Sequence, residues 1–133
     1  MEVAELRNYR DLQVWNKAHA LTLQLYKVSR DFPRDEVYGL TAQLRRAAAS
    51  IGANLAEGCG RQTDNEMARF LKIALGSASE LDYHLLLSHD LGLLAHADYE
   101  HSAKELTSVR EMLRSLLNAI EKMQSKAKAA AGG

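Results

Sequence analysis

Five histidines and one cysteine are the residues of this sequence best suited to metal binding or catalysis: His19, His84, His89, His96, His101 and Cys59. The histidines at positions 84 and 89, and those at 96 and 101, are five residues apart, whereas two ligands on one helix face are typically four apart. Glu80 and His84 do have that spacing. A carboxylate-bridged site would also need glutamates on the inward faces of other helices, and the apolar faces described below contain none. We therefore expect solvent-exposed or interface histidines, no metal site and no cofactor.

The segment Gly58-Cys59-Gly60 suggests two further kinds of site, a phosphate-binding loop and a reactive thiol. It contains only part of a glycine-rich phosphate loop, follows a predicted helix rather than a strand, and lacks the lysine of such loops. Arg61 and the helix start after it would favour the thiolate of Cys59. The alternative is a small residue with no chemical role, since no histidine adjoins it in sequence. We expect no catalytic residue and no enzymatic activity.

Five basic residues are the last group of polar side chains that suggests ligand binding: Arg45, Arg46, Arg61, Arg69 and Lys72. Arg61 precedes a predicted helix start, where backbone N–H groups favour an anion. One interpretation is that the five residues together form a phosphate-binding surface, particularly if an oligomer repeats it. The alternative is a solvated face in which these cations form salt bridges with Glu57, Asp64 and Glu66.

A second stripe of small and apolar residues lies off the predicted core faces of two helices: Ala42, Ala49, Ala53, Ala56, Ala68, Leu75, Ser79 and Leu86. A bundle helix needs one apolar stripe, so a second stripe indicates another packing partner. Small residues let helices approach closely, and we expect the partner to be another copy of this chain. The alternative is that alanine occupies exposed positions because it favours helix formation.

Four segments have apolar residues spaced by threes and fours, which is typical of amphipathic helices. We expect helices over residues 12–32, 35–59, 64–91 and 97–123. The predicted core-facing stripes are Val14, Ala18, Leu21, Leu25, Val28 and Phe32 on the first helix; Val37, Leu40, Leu44, Ala48, Ile51 and Leu55 on the second; Met67, Phe70, Ala74, Ala78, Leu81 and Leu85 on the third; and Tyr99, Ala103, Leu106, Val109, Leu113, Leu116, Ile120 and Met123 on the fourth. Pro33 would end the first, Gly58 and Gly60 the second, and Gly92 the third. Thr63, with a glutamate three residues later, would cap the start of the third. Short connections make an all-α, antiparallel, up-down-up-down four-helix bundle the simplest arrangement.

Composition and charge exclude several other classes of protein. The 133 residues suit one domain, which we place at residues 8–125 with flexible ends at 1–7 and 126–133. The 17 basic and 17 acidic residues cancel, so this is not a strongly basic nucleic-acid-binding protein. A single cysteine indicates a reducing compartment, and no apolar run is long enough to cross a bilayer. We expect a cytoplasmic protein without a membrane partner.

Several motifs resemble one known family: Tyr9-Arg10-Asp11-Leu12, Tyr38-Gly39-Leu40, Gln43-Leu44-Arg45-Arg46-Ala47-Ala48, Asn54-Leu55-Ala56-Glu57-Gly58 and Gly76-Ser77. They are similar to the bacterial four-helix bundle proteins named after intervening sequences in large-subunit ribosomal RNA genes. They are also similar to the accessory variability proteins of diversity-generating retroelements. The resemblance covers about residues 9–120.

The resemblance implies a left-handed bundle, assembly into a ring of five, and no known catalytic activity. It also implies binding of RNA or a nucleoprotein through basic surfaces, and Arg45, Arg46 and Arg61 match the family's basic positions. Gly52 and Cys59 stand where many relatives have a proline and an aromatic residue. The zero net charge differs from the strongly basic retroelement proteins.

These observations lead to one leading hypothesis and two alternatives. We expect a non-enzymatic homo-oligomer, a pentamer by resemblance, that acts as a scaffold or binding module with RNA or a nucleic-acid-binding protein as its partner. A protein-binding scaffold without a nucleic-acid role is the first alternative, and a small-molecule or metal enzyme is a distant second.

Overall fold

A computed structural model describes residues 8–132 and contains four α-helices. They are α1 (Gln13–Val28), α2 (Leu40–Cys59), α3 (Asp64–Asp90) and α4 (His96–Gly132). Short 3-10 turns flank the first two helices: Tyr9–Asp11 precedes α1, Ser29–Asp31 follows it, and Arg34–Glu36 precedes α2. Helix α1 packs on α2 and α4, and α3 packs on the same two helices. Residues 8–132 contain no strand, so the all-α prediction is confirmed and the packing is consistent with a four-helix bundle.

The interior of the protein is formed by the predicted apolar stripes. Leu25, Leu44, Leu81 and Leu113, one from each helix, have no solvent exposure. Four buried leucines lie outside the predicted stripes: Leu12 before α1, Leu71 on α3, Leu94 before α4 and Leu117 on α4. Helices α3 and α4 each contact two neighbours, so each buries a broader face than one stripe supplies.

The second helix begins later than the sequence indicated. It starts at Leu40 rather than near residue 35, because the chain after Pro33 forms a 3-10 turn. The Leu40 backbone N–H donates to Glu36 Oε2 at 3.1 Å, which satisfies one of the unpaired N–H groups at the helix start. Val37 was predicted to face the core, and this prediction is wrong: its side chain is 47% exposed because it precedes the helix.

Helices α2 and α3 pack closely at a glycine and through two serines. A methyl group on Gly58 would lie 3.1 Å from Phe70 Cβ, so the absence of a side chain permits the contact. Farther along, the Ser50 and Ser77 hydroxyls are 2.8 Å apart, and Asn54 Nδ2 donates to the Ser50 backbone oxygen at 2.8 Å. These bonds satisfy polar groups on the α2–α3 side of the bundle.

The turn between α3 and α4 has the predicted glycine geometry. Gly92 has a φ angle of 75°, in the left-handed region that glycine adopts without steric cost. The backbone N–H groups of Leu93 and Leu94 both donate to the Ser88 carbonyl, at 2.9 and 3.1 Å. At the start of α3, Thr63 Oγ1 accepts a hydrogen bond from the Glu66 N–H at 3.2 Å, as expected for an N-cap.

The last helix is longer than predicted. Helix α4 continues to Gly132, past the predicted end near Met123, and the side chains of residues 125–132 are exposed. Alanine and lysine dominate this extension, and both favour helix formation without tertiary contacts. The flexibility of residues 126–132 stays a prediction, and residues 1–7 and Gly133 lie outside the described chain.

Candidate functional site

An apolar groove lies between α1 and α2. It has a volume of about 430 Å³. Its lining comprises Tyr9, Trp15, His19, Thr22, Leu23, Tyr26, Ala49, Gly52, Ala53 and Ala56. One side is therefore aromatic and the other is made of small residues. This combination can receive a helix or an apolar side chain from a partner.

Trp15 forms the centre of the aromatic side. Its ring stacks on His19 with centroids 4.8 Å apart, and Tyr9 meets it edge-on at 4.9 Å. A methyl group on Gly52 would lie 3.3 Å from Trp15 Nε1, so glycine gives the indole room against α2. These contacts hold the indole in place with part of its surface open to the groove.

The α2 members of the predicted oligomer surface border this groove. Ala49, Ala53 and Ala56 line it, with Ala49 and Ala53 exposed and Ala56 half-buried. Ala42 is also half-buried. The sequence-based choice of these small residues therefore coincides with a real surface depression for three of the four.

The α3 members differ in their exposure. Leu86 is 43% exposed and Ser79 is exposed, with its hydroxyl accepting a hydrogen bond from Arg110 Nη2 at 3.2 Å. Leu75 is half-buried against the core. Ala68 requires a correction, because it is only 6% exposed and packs inside the chain's own core, where the α3 face is broader than predicted. Ser79 thus borders α4, whereas the α2 alanines border α1.

Three of the five predicted nucleic-acid-binding residues lie against carboxylates. Arg46 pairs with Glu80, Arg61 Nη2 is 3.2 Å from Glu57 Oε2, and Lys72 Nζ is 3.8 Å from Glu121 Oε2. Exposed pairs of this kind contribute little to stability. They do lower the positive potential that a phosphate would meet.

Arg45 and Arg69 have other contacts. Arg45 Nε donates to Ser29 Oγ at 2.8 Å and its guanidinium lies 4.8 Å from the Tyr26 ring centroid, so it links α2 to the end of α1. Arg69 lies over the Phe70 ring at 4.7 Å, and Arg61 lies over the same ring at 4.9 Å. The five residues do not form one open basic surface.

The Glu80 carboxylate contacts both Arg46 and His84. It pairs with Arg46 and its Oε1 is 3.3 Å from His84 Nε2. Desolvation acts to raise the pKa of Glu80, but the hydrogen bonds from Arg46 and His84 outweigh it and lower the pKa below its usual value of 4.5. The spacing of Glu80 and His84 indicated this contact from sequence.

The remaining candidates for chemistry are divided between core and surface. Cys59 is 1% exposed within the core, which keeps its sulfur from solvent. No group of three or more His, Cys, Asp or Glu residues suited to a metal occurs within residues 8–132. The fold does bring His89 and His96 together across the α3–α4 turn. Sequence reasoning missed this pair because it considered spacing within single helices only.

Comparison with known protein families gives a match over most of the chain. Residues 10–115 match the family model described as 23S rRNA-intervening sequence protein. The chain belongs to this family. The resemblance to this family drawn from the sequence motifs is confirmed, and the 23S rRNA-intervening sequence protein match covers α1 to α3 and about half of α4.

A solved structure from Bacteroides thetaiotaomicron VPI-5482 resembles this 23S rRNA-intervening sequence family member. It is described as a protein with unknown function from the S23 ribosomal protein family. The TM-score is 0.73 at 24% identity, over 79% of this chain and 95% of that one. At this identity the similarity supports a shared fold alone. No curated protein sequence matches the chain.

The aromatic side of the groove was also missed from sequence. Trp15, His19, Thr22 and Tyr26 recur at steps of four, three and four, which forms a second stripe beside the buried face of α1. That spacing is the signal that would have revealed it.

Within residues 8–132, no helix is both long and apolar enough to span a membrane.

Proposed function

We propose that this protein is a non-enzymatic, antiparallel helical module that assembles with copies of itself and serves as a scaffold. The observation that carries the proposal is the groove between α1 and α2, which places Trp15 opposite Ala53 on an accessible surface. An isolated soluble domain gains nothing from exposing an aromatic wall beside small residues, whereas a subunit interface buries both.

The antiparallel arrangement is supported by paired contacts between neighbouring helices. Along α2 and α3, Gly58 meets Phe70, Ser50 meets Ser77 and Arg46 meets Glu80. Residue numbers fall on one helix as they rise on the other. Short connections also favour antiparallel neighbours.

A head-to-tail contact would use two different surfaces of each copy. The α1–α2 groove is one, and the α3 surface with Leu75, Ser79 and Leu86 is the other. Repeated head-to-tail contacts generate a closed ring when the rotation between copies closes. A ring of five is the closure that the family resemblance suggests.

Light scattering of native protein and of Ala53→Glu tests the proposal. A glutamate in the groove would be buried unpaired in the assembly, at a cost of several kcal/mol. We expect an oligomer for the native protein and a smaller species for the variant, with equal helical circular dichroism. Ala119→Glu, at an exposed position of α4 outside the groove, is the matched control and should keep the native mass. A native monomer at micromolar concentration would refute the proposal.

RNA binding is the second candidate function. One observation favours it: Arg61 and Arg69 lie over the same buried Phe70 ring, which holds two exposed guanidinium groups close together where they are available to an RNA backbone. The family description also names a 23S rRNA intervening sequence. Three ion-paired cations and a net charge of zero oppose strong binding.

Labelled structured RNA at low and physiological salt tests this candidate. Phosphate contacts predict an affinity that falls steeply with salt, and Arg61→Ala/Arg69→Ala should weaken it further. Arg30→Ala/Arg34→Ala, at exposed positions before α2, is the matched control. Binding insensitive to both salt and the Arg61/Arg69 double substitution would reject this surface. No binding at low salt would leave the protein scaffold as the function.

A further inference from the structure

The turn between α3 and α4 brings two imidazole rings into contact. His89 lies in the last turn of α3 and His96 begins α4. The left-handed Gly92 between them reverses the chain so that His89 Nε2 and His96 Nδ1 are 3.1 Å apart. The His89 ring is also stacked on Tyr99, with centroids 4.4 Å apart and planes inclined by 22°. One of the two rings is therefore held by packing.

The other nitrogen of each histidine lies near a carboxylate. His89 Nδ1 is 3.4 Å from Asp90 Oδ1, and His96 Nε2 is 3.0 Å from Glu100 Oε1. A carboxylate at one ring nitrogen favours the tautomer that carries its proton there. Neutral imidazoles in these tautomers leave one lone pair on each of the two facing nitrogens, which are 3.1 Å apart. Two facing lone pairs repel each other, and a cation bound by both nitrogens, to one side of the line that joins them, removes this repulsion.

We propose that His89 and His96 together bind one divalent transition-metal ion such as Zn²⁺, Ni²⁺ or Cu²⁺. Nitrogen–metal bonds of about 2.0–2.1 Å put two ligands about 2.9 Å apart at a right angle and about 3.4 Å apart at a tetrahedral angle. The observed 3.1 Å lies between these values. Asp90 and Glu100 orient the two ligands from behind, the usual arrangement around metal-binding histidines.

The site is open on its outer side. The His96 side chain is 68% exposed, and residues 8–132 supply no third ligand in the same group. Water completes the coordination sphere. Imidazole nitrogens select zinc, nickel and copper over magnesium and calcium, which prefer oxygen ligands. Binding ties the end of α3 to the start of α4, so it stabilises the folded chain without being required for the core.

Thermal unfolding with and without metal tests the site, with each variant compared with its own metal-free form. A free Ni²⁺ or Zn²⁺ concentration ten times the dissociation constant should raise Tm by about 4–6 °C. Mg²⁺ at the same concentration should leave Tm unchanged. His89→Ala and His96→Ala should each abolish the rise. His101→Ala, which removes an exposed histidine from the same helix as His96, is the matched control and should retain it.

Electron paramagnetic resonance of the Cu²⁺-loaded protein provides a second readout. Coupling to two nitrogen nuclei is expected in the native protein, and to no more than one in either single variant. The proposal is overturned if Tm does not respond to metal, or if the response persists in His89→Ala or His96→Ala. It is equally overturned if the pair changes Tm only with pH, because the two nitrogens would then share a proton and not a metal.

Discussion

Gly58 lies where α2 packs against α3, and the contact has no room for a side chain. In Gly58→Ala the new methyl group would meet Phe70 Cβ at 3.1 Å, and Cβ cannot move unless the helix moves. Overpacking costs about 1–3 kcal/mol, which we expect to exceed the gain of about 1 kcal/mol from alanine's helix propensity. Urea unfolding should therefore show a less stable variant.

Gly76→Ala is the matched control for this prediction. Gly76 is on the same helix pair, in α3, but it is exposed and a methyl group there would have no neighbour within 4 Å. Only the propensity gain applies, so this variant should be more stable than the native protein by roughly 0.5–1 kcal/mol. Equal effects of the two substitutions would show that α2 and α3 do not pack closely at Gly58.

Glu80 should give the protein a pH-dependent contribution to stability. Its pKa is lowered in the folded state, so the stabilisation is present above the usual value of 4.5 and is lost as the pH falls through the lower folded value. Glu80→Gln removes the carboxylate that Arg46 and His84 contact. Since the side chain is 38% exposed, we expect less than about 1 kcal/mol at neutral pH.

Urea unfolding of native protein and Glu80→Gln at pH 6 and pH 3 checks the sign. The native protein should be the more stable at pH 6, and the difference should shrink at pH 3. A difference that grows on acidification would contradict the assigned direction of the pKa shift.

Among the connections, the α3–α4 turn depends most clearly on one backbone conformation. Gly92 has a φ angle of 75°, and no atom would obstruct a methyl group there. The cost of Gly92→Ala is therefore conformational, about 1–2 kcal/mol. Gly92→Asn should cost less, because asparagine enters the left-handed region more readily. Thermal unfolding should rank the proteins native, Asn, then Ala, and an Ala variant as stable as native would contradict the assignment.

The presence of the four helices was predictable from sequence because strong local signals agreed with the packing. The period of Leu44, Ile51 and Leu55 and the cap at Thr63 both depend on nearby residues, and both predictions are confirmed. The start of α2 was not predictable in the same way. It depends on Glu36 reaching the Leu40 N–H after a 3-10 turn, an alternative that apolar spacing cannot distinguish from a helix.

The candidate sites depend on which helices become neighbours, and this limited their prediction. Ala53 and Trp15 come from different helices, and only the packed bundle places them across one groove. His89 and His96 meet because the turn reverses the chain. Arg46 looked available for RNA until α3 placed Glu80 beside it. Contacts between elements therefore decide each site, whereas sequence spacing reports contacts within one element.

At the scale of the whole molecule, the two proposed contact surfaces make a prediction about mixtures. Ala53→Glu would disable the α1–α2 groove, and Leu86→Glu would disable the α3 surface, where Leu86 is 43% exposed. If copies join head to tail, each variant retains one working surface that cannot pair with its own kind. Each variant alone should therefore be a monomer.

Mixing the two variants should restore one contact and no more. The intact groove of Leu86→Glu can receive the intact α3 surface of Ala53→Glu, and both outer surfaces of that pair are then disabled. Light scattering should find a species of twice the 14.8 kDa chain mass and nothing larger. The double variant Ala53→Glu/Leu86→Glu, mixed with either single variant, is the control and should stay monomeric. If Ala53→Glu alone forms dimers, or if the mixture stays monomeric while native protein assembles, the groove and the α3 surface are not partners and the head-to-tail arrangement is wrong.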